Sequence, residues 1–116
     1  MPRNSKYGAE SGVLRACLDL LAAERIWWMR MNTGAMRTGT RYVQFGIPGT
    51  ADILALVPGE CKCGEITLPV WIECKSAKGR QSLNQQFFQR EVQNAGHTYL
   101  LIRDVSELQE WLKKAK

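Results

Sequence analysis

Residues 51–57 read Ala-Asp-Ile-Leu-Ala-Leu-Val, an almost unbroken apolar run interrupted by a single acid. A strand of this kind has no polar row to show to water, so it needs cover on both faces. The chain therefore has to supply a sheet with helices on either side. It contains three helical patterns that can do so. Leu14, Cys17, Leu18 and Leu21 recur at helical spacing between Ala9 and Glu24. Ser82 to Ala95 predicts a second helix, with Leu83, Phe87, Val92 and Ala95 toward one side and Gly96 as its stop. Asp104 caps a third, with Val105, Leu108 and Leu112 inward and Lys113, Lys114 and Lys116 near its negative end.

Three further strands are expected: Tyr42 to Ile47, Val70 to Lys75, and Thr98 to Arg103. Pro48-Gly49-Thr50 separates the first of these from the apolar run. Pro58 to Pro69, rich in Gly, Pro, Cys and charge, reads as a hairpin connection, and Arg25 to Gly39 as a transition with a turn at Asn32-Thr33-Gly34. The predicted order is α-β-β-β-α-β-α. It describes an α/β domain spanning residues 1–116, a mixed β-sheet flanked by helices with one parallel crossover through the second helix.

Sixteen Lys and Arg against eleven Asp and Glu give a net charge of +5. The bases are segregated. Arg25, Arg30, Arg37 and Arg41 precede Thr50 with no intervening acid, and Lys75, Lys78, Arg80 and Arg90 form a second acid-free stretch. Such stretches suit a polyanion, although a solvated basic face has the same composition. No apolar run approaches the roughly 18 residues of a membrane span. The polar start, Met-Pro-Arg-Asn-Ser-Lys, lacks the apolar segment of a secretion signal. A cytoplasmic setting follows as the expectation, and with it reduced cysteines at 17, 61, 63 and 74. Cys17 and Cys74 alternate with apolar neighbours and read as core residues. Cys61-Lys62-Cys63 looks like half a zinc knuckle but lacks the partners of a four-ligand site, since His97 is the sole histidine.

The residues that point to chemistry are acids placed where solubility does not need them. Asp52 opens the apolar run, where an unpaired carboxylate is costly. Glu73 and Lys75 lie two apart in Val70-Trp71-Ile72-Glu73-Cys74-Lys75 and so share a strand face, with Cys74 on the other. If the two strands are neighbours, both carboxylates and the ammonium meet at one place. That arrangement suits Mg2+ or Mn2+, which take one or two carboxylates plus carbonyl, water or phosphate oxygens. Asp52 alone could equally cap a turn, and an E-x-K pair alone is often only a surface ion pair.

Taken together, Arg30-Met-Asn-Thr-Gly34, Phe45-Gly-Ile-Pro-Gly-Thr-Ala-Asp-Ile-Leu54, Ile72-Glu-Cys-Lys75, Gly79-Arg-Gln-Ser-Leu-Asn-Gln85 and Ala95-Gly96 resemble the VRR-NUC family of the PD-(D/E)xK nuclease superfamily. The likeness is greatest to its compact stand-alone members from phages and bacteria, and it extends from about Glu10 to Leu112. The resemblance implies a restriction-endonuclease-like core. It implies metal-binding acids at Asp52 and Glu73, a third ligand in the Cys74 backbone carbonyl, and a catalytic lysine at Lys75. It further implies a functional glutamine at Gln85, with Gln86 adjacent, and an acid near the metal at Glu10. Ser82 and Gln85 also have the spacing of a helix capping box, and Glu10 also suits a helix N-terminus on electrostatic grounds alone.

Arg30, Asn32, Thr33, Arg37, Arg41, Lys78 and Arg80 are the candidates for DNA contact through phosphates. Trp27, Trp28 and Trp71 read as core or subunit interface rather than base-stacking platforms. The function implied is a metal-dependent endonuclease, as a homodimer acting on branched, Holliday-junction-like DNA. The alternatives are a non-catalytic nucleic-acid-binding module of the same fold, or a nuclease subunit that needs a partner.

Overall fold

A computed structural model describes residues 8–31 and 34–115. The elements run α1 (Gly8–Ala23), β1 (Trp27–Arg30), β2 (Gly34–Thr38), β3 (Arg41–Phe45), β4 (Ile53–Cys61), β5 (Gly64–Cys74), α2 (Leu83–Asn94), β6 (Thr98–Ile102) and α3 (Val105–Ala115). Four strands form a mixed sheet in the order β1-β4-β5-β6, while β2 and β3 pair separately as a hairpin. β5 and β6 are parallel and α2 makes the crossover between them.

Alternation along the strands sorts the core into two layers. Ile53, Ala55 and Val57 of β4, Val70, Ile72 and Cys74 of β5, and Ile102 of β6 face Cys17 and Leu21 of α1 and Leu108 and Leu112 of α3. The opposite face carries Trp71, Tyr99 and Leu101, covered by Phe88 and Val92 of α2 together with Ala51. Helices thus flank the sheet on both sides, as the apolar run requires. Cys17 and Cys74 are fully buried and free, as their apolar neighbours predict.

Five sequence expectations need correction. The element order contains two more strands than predicted, because Arg25 to Gly39 is not merely a transition. Trp27–Arg30 pairs antiparallel with Ile53–Leu56, and Gly34–Thr38 pairs with Arg41–Phe45. Neither segment alternates, since backbone pairing at an edge needs no buried row. Strand β3 ends at Phe45, short of Ile47.

The expected connection from Pro58 to Pro69 is largely strand: β4 and β5 stay in register from Ile53↔Ile72 to Cys61↔Gly64. Both prolines sit within this pairing, Pro58 opposite Thr67 and Pro69 opposite Leu56. On α2, Leu83 and Phe87 point to solvent and Ala95 is exposed at the C-cap; Val92 does turn inward, in a stripe with Gln85 and Phe88 at the i, i+3, i+7 spacing. The cysteines are not all reduced: Cys61 and Cys63 are joined as a disulfide where the hairpin turn folds their sulfurs together. The turn at Asn32-Thr33 and the terminal Lys116 lie outside the described residues.

Candidate active site

The β4–β5 register brings the two acids together. Continuing one step beyond Ile53↔Ile72 sets Asp52 opposite Glu73, and directly opposed residues project to the same face. Asp52 is fixed at both ends. Its carbonyl accepts the Met31 N–H at 2.9 Å, tying it to the end of β1. Its Oδ2 accepts the Cys74 N–H at 2.8 Å, tying it to the end of β5.

Glu73 is 1% exposed. Its Oε2 accepts a hydrogen bond from Gln85 Nε2 at 2.9 Å and lies 3.9 Å from Lys75 Nζ. Its Oε1 is buried with no hydrogen-bond partner among the described residues. Lys75 stands between two acids, with Glu10 Oε1 3.8 Å from its Nζ. The Lys75 N–H donates to the Ile102 carbonyl at 3.0 Å, which holds the end of β5 against β6.

The electrostatics show a site short of positive charge. Burial pushes the Glu73 carboxyl up to about 8, the negative Asp52 adds to this, Lys75 opposes it, and Glu10 adds further. Asp52 is also raised by burial, against the pull of the Cys74 N–H, Arg30 and Lys75. Two carboxyls raised together, one with a bare buried oxygen, are relieved by a cation that accepts oxygen ligands. Asp52, Glu73 and the backbone carbonyl of Cys74 are the groups that could hold one, with Glu10 nearby through Lys75. Among the described residues no group of three His, Cys, Asp or Glu side chains is arranged to hold a metal ion. The donor set is two carboxylates, which fits Mg2+ with its retained waters and not a closed zinc cage.

Gln85 serves two purposes with one amide. Its Oε1 accepts the Ser82 N–H at 2.8 Å, and the Ser82 Oγ accepts the Gln85 N–H at 3.1 Å, completing a capping box. The amide nitrogen is left to reach Glu73. Gln86 instead turns to the Gln81 carbonyl, at 3.4 Å, and is exposed. Of the two adjacent glutamines, Gln85 is the one brought to the acids.

Two further residues build this site without obvious signals in the sequence. Gly49 has φ +86, and a Cβ there would fall 2.3 Å from the Asn84 backbone and 2.7 Å from the Gln85 nitrogen. The loop before Asp52 and the first turn of α2 meet through a glycine because nothing larger fits. Pro48-Gly49 marks a turn, but not this contact. Arg103 Nη1 donates to the carbonyls of Ser76 and Gly79, each at 2.7 Å, clamping the loop that follows Lys75. An arginine at a strand end gives no hint of that role.

The basic candidates come from two separate runs of chain. Arg30 ends β1 beside Asp52 and is exposed, and Lys78 and Arg80 are exposed on the clamped loop. Arg37 and Arg41 are exposed next to the turn of the β2–β3 hairpin, where Arg37 pairs with Tyr42 and Thr38 with Arg41. Asn32 and Thr33 lie outside the described residues. Trp28 packs on the main core, Trp71 packs edge-on against Phe88, and Trp27 is 54% exposed. Among the described residues no helix is long and apolar enough to cross a membrane. No family model, curated protein or solved structure matches the chain.

Proposed function

We propose that the chain is a metal-dependent, structure-selective DNA endonuclease with a restriction-endonuclease-like core, as the likeness to the VRR-NUC family implies. The observation that carries this reading is the buried Oε1 of Glu73 beside Asp52, which has no hydrogen-bond partner among the described residues. A purely structural ion pair would have no reason to leave that oxygen bare in a protein interior. Mg2+ or Mn2+ held by Asp52, Glu73 and the Cys74 carbonyl would supply an acidified water and charge stabilisation for the phosphate.

The residues of the chain do the rest. Lys75, 11% exposed at its side chain, orients the attacking water and offsets phosphate charge. In the hydrolysis one P–O bond forms to the water oxygen, one P–O bond of the backbone breaks, and the leaving oxygen takes a proton. Gln85 holds Glu73 in the rotamer that faces Asp52. Glu10 keeps the Lys75 ammonium near the acids by flanking it on the other side. Arg30, Lys78 and Arg80, with Arg37 and Arg41 on the hairpin, bind backbone phosphates. One such site cuts one strand, so a homodimer on branched DNA follows from the resemblance as the working assembly.

The test incubates labelled linear, nicked, flap and four-way DNA with the protein in Mg2+, Mn2+ or EDTA, beside Glu73→Ala. The expected result is cleavage that needs the divalent ion, favours the branched substrate, and disappears in Glu73→Ala while junction binding persists. A fully active Glu73→Ala protein would refute the assignment. Salt-sensitive binding by the wild type with no product under any condition would instead establish the non-catalytic module.

A further inference from the structure

Cys61 and Cys63 are both exposed and joined across a single residue, Lys62, at the turn of the β4–β5 hairpin. A bond that closes so short a loop removes little freedom from the unfolded chain, because that effect grows with loop length. The hairpin does not depend on it either, since the backbone ladder runs without a break to Cys61↔Gly64. A solvent-open disulfide with so small a structural role belongs to the labile kind. A second observation gives it a direction. The Cys63 N–H donates to Cys61 Sγ at 3.2 Å, and Lys62 adds positive charge to the same turn. Lys62 favours a thiolate at either sulfur, whereas the N–H favours negative charge on the Cys61 sulfur alone, which makes Cys61 the leaving group and Cys63 the sulfur attacked.

We infer that Cys61-Lys62-Cys63 is a reversible thiol–disulfide exchange site that takes small thiols as its reaction partners. It is separate from the carboxylate cluster. Nine residue steps divide Asp52 from Cys61 along β4, roughly 30 Å of extended strand. In the forward direction an external thiolate attacks Cys63 Sγ. A new S–S bond forms there, the Cys61–Cys63 bond breaks, and the electron pair leaves on Cys61 Sγ beside the Cys63 N–H. A second thiolate attacks the external sulfur of this mixed disulfide, and Cys63 departs as thiolate and takes a proton from water. The chain gains two electrons, and two thiols become one disulfide. An external disulfide drives the same steps backwards. Cys17 and Cys74 are 0% exposed and provide an internal contrast.

The test equilibrates the full chain in glutathione buffers graded from fully reduced to fully oxidised, quenches with an alkylating reagent, and reads each cysteine by mass. Cys61 and Cys63 are expected to pass from disulfide to dithiol and back. Cys17 and Cys74 should stay unlabelled unless denaturant is added. The melting temperatures of the two forms should differ by less than about 10 °C, because closing so short a loop contributes only a small part of the stability. Early acid quenching should find glutathione on Cys63, and Cys61→Ser should retain the adduct there. The double variant Cys61→Ser/Cys63→Ser should melt with the reduced wild type. The proposal is overturned by resistance to excess reduced glutathione, by a dithiol that persists in oxidised glutathione, by first adducts on Cys61, or by reduction that unfolds the chain.

Discussion

Glu73 concentrates the tension of this molecule in one side chain. Its carboxyl has an ordinary value of 4.5 and is pushed up to about 8 in the folded chain, first by burial and then by Asp52. An unfolded chain therefore releases this proton at lower pH than the folded one. Stability from this group is fully present below about pH 4.5 and is lost as pH rises through about 8. Glu73→Gln, which cannot ionise, should melt close to the wild type at pH 5 and above it at pH 8 in EDTA. Mn2+ should raise the melting temperature of the wild type at pH 8 and leave Glu73→Gln nearly unmoved. Thermal unfolding at the two pH values, with and without the ion, checks both statements.

Gln85 permits a finer separation. Gln85→Glu retains a capping-box residue, since glutamate also serves at that position, but sets a third negative group against Glu73. Helix content by circular dichroism should be kept while divalent-dependent cleavage falls by an order of magnitude or more. Gln85→Ala should also lose cleavage while keeping the helix, at a cost of about 1 kcal/mol of cap stability. The capping box was legible in the spacing of Ser82 and Gln85, and so was the placement of Glu73 and Lys75 on one face. That one amide would divide itself between the two tasks was not, because spacing along a helix says nothing of what lies across from it.

At the level of elements, the site depends on how close α2 comes to the loop before β4. Gly49→Ala places a methyl group where the Asn84 backbone already is, at a backbone angle that favours glycine. The first turn of α2 has to move. A destabilisation of about 2 kcal/mol or more is expected, measured by denaturant titration, together with weakened cleavage as Gln85 is drawn from Glu73.

The elements with strong period or strong caps were readable beforehand: α1 from Cys17 and Leu21, α3 from Asp104 and Leu108, and β6 from its apolar run. The strands Trp27–Arg30 and Gly34–Thr38 were not, because they lie at an edge and in a separate hairpin, where pairing leaves no alternation in the sequence. On α2 the apolar residues misled. Leu83 and Phe87 are exposed, and the inward stripe begins with the polar Gln85, so a hydrophobic count alone selects the wrong face.

Across the whole molecule, charge is arranged along the long β4–β5 hairpin. Arg30, Lys78 and Arg80 cluster toward the Asp52 end, while Glu60 and Glu65 face each other near the turn, beside an open groove of about 580 Å³ lined also by Pro58 and Ile66. On the proposed reading, this arrangement favours approach of a polyanion at the first end over the second. Junction binding should weaken with salt. Arg37→Ala/Arg41→Ala should reduce the slope of log K against log salt by about 1.8, near 0.9 for each phosphate that is no longer neutralised. Fluorescence anisotropy over a salt series measures it, and an unchanged slope would remove the β2–β3 hairpin from the interface.

The parts of the carboxylate cluster come from segments far apart in the chain. Asp52 and Glu73 belong to β4 and β5, Gln85 arrives with α2, and the backbone of Lys75 is latched to Ile102 at the end of β6. A chain still emerging from the ribosome, or clipped before residue 102, holds both acids yet lacks the latch that sets the lysine. If the proposed reading holds, synthesis intermediates and proteolytic fragments of this kind leave DNA uncut, and competence arrives only once β6 is in place.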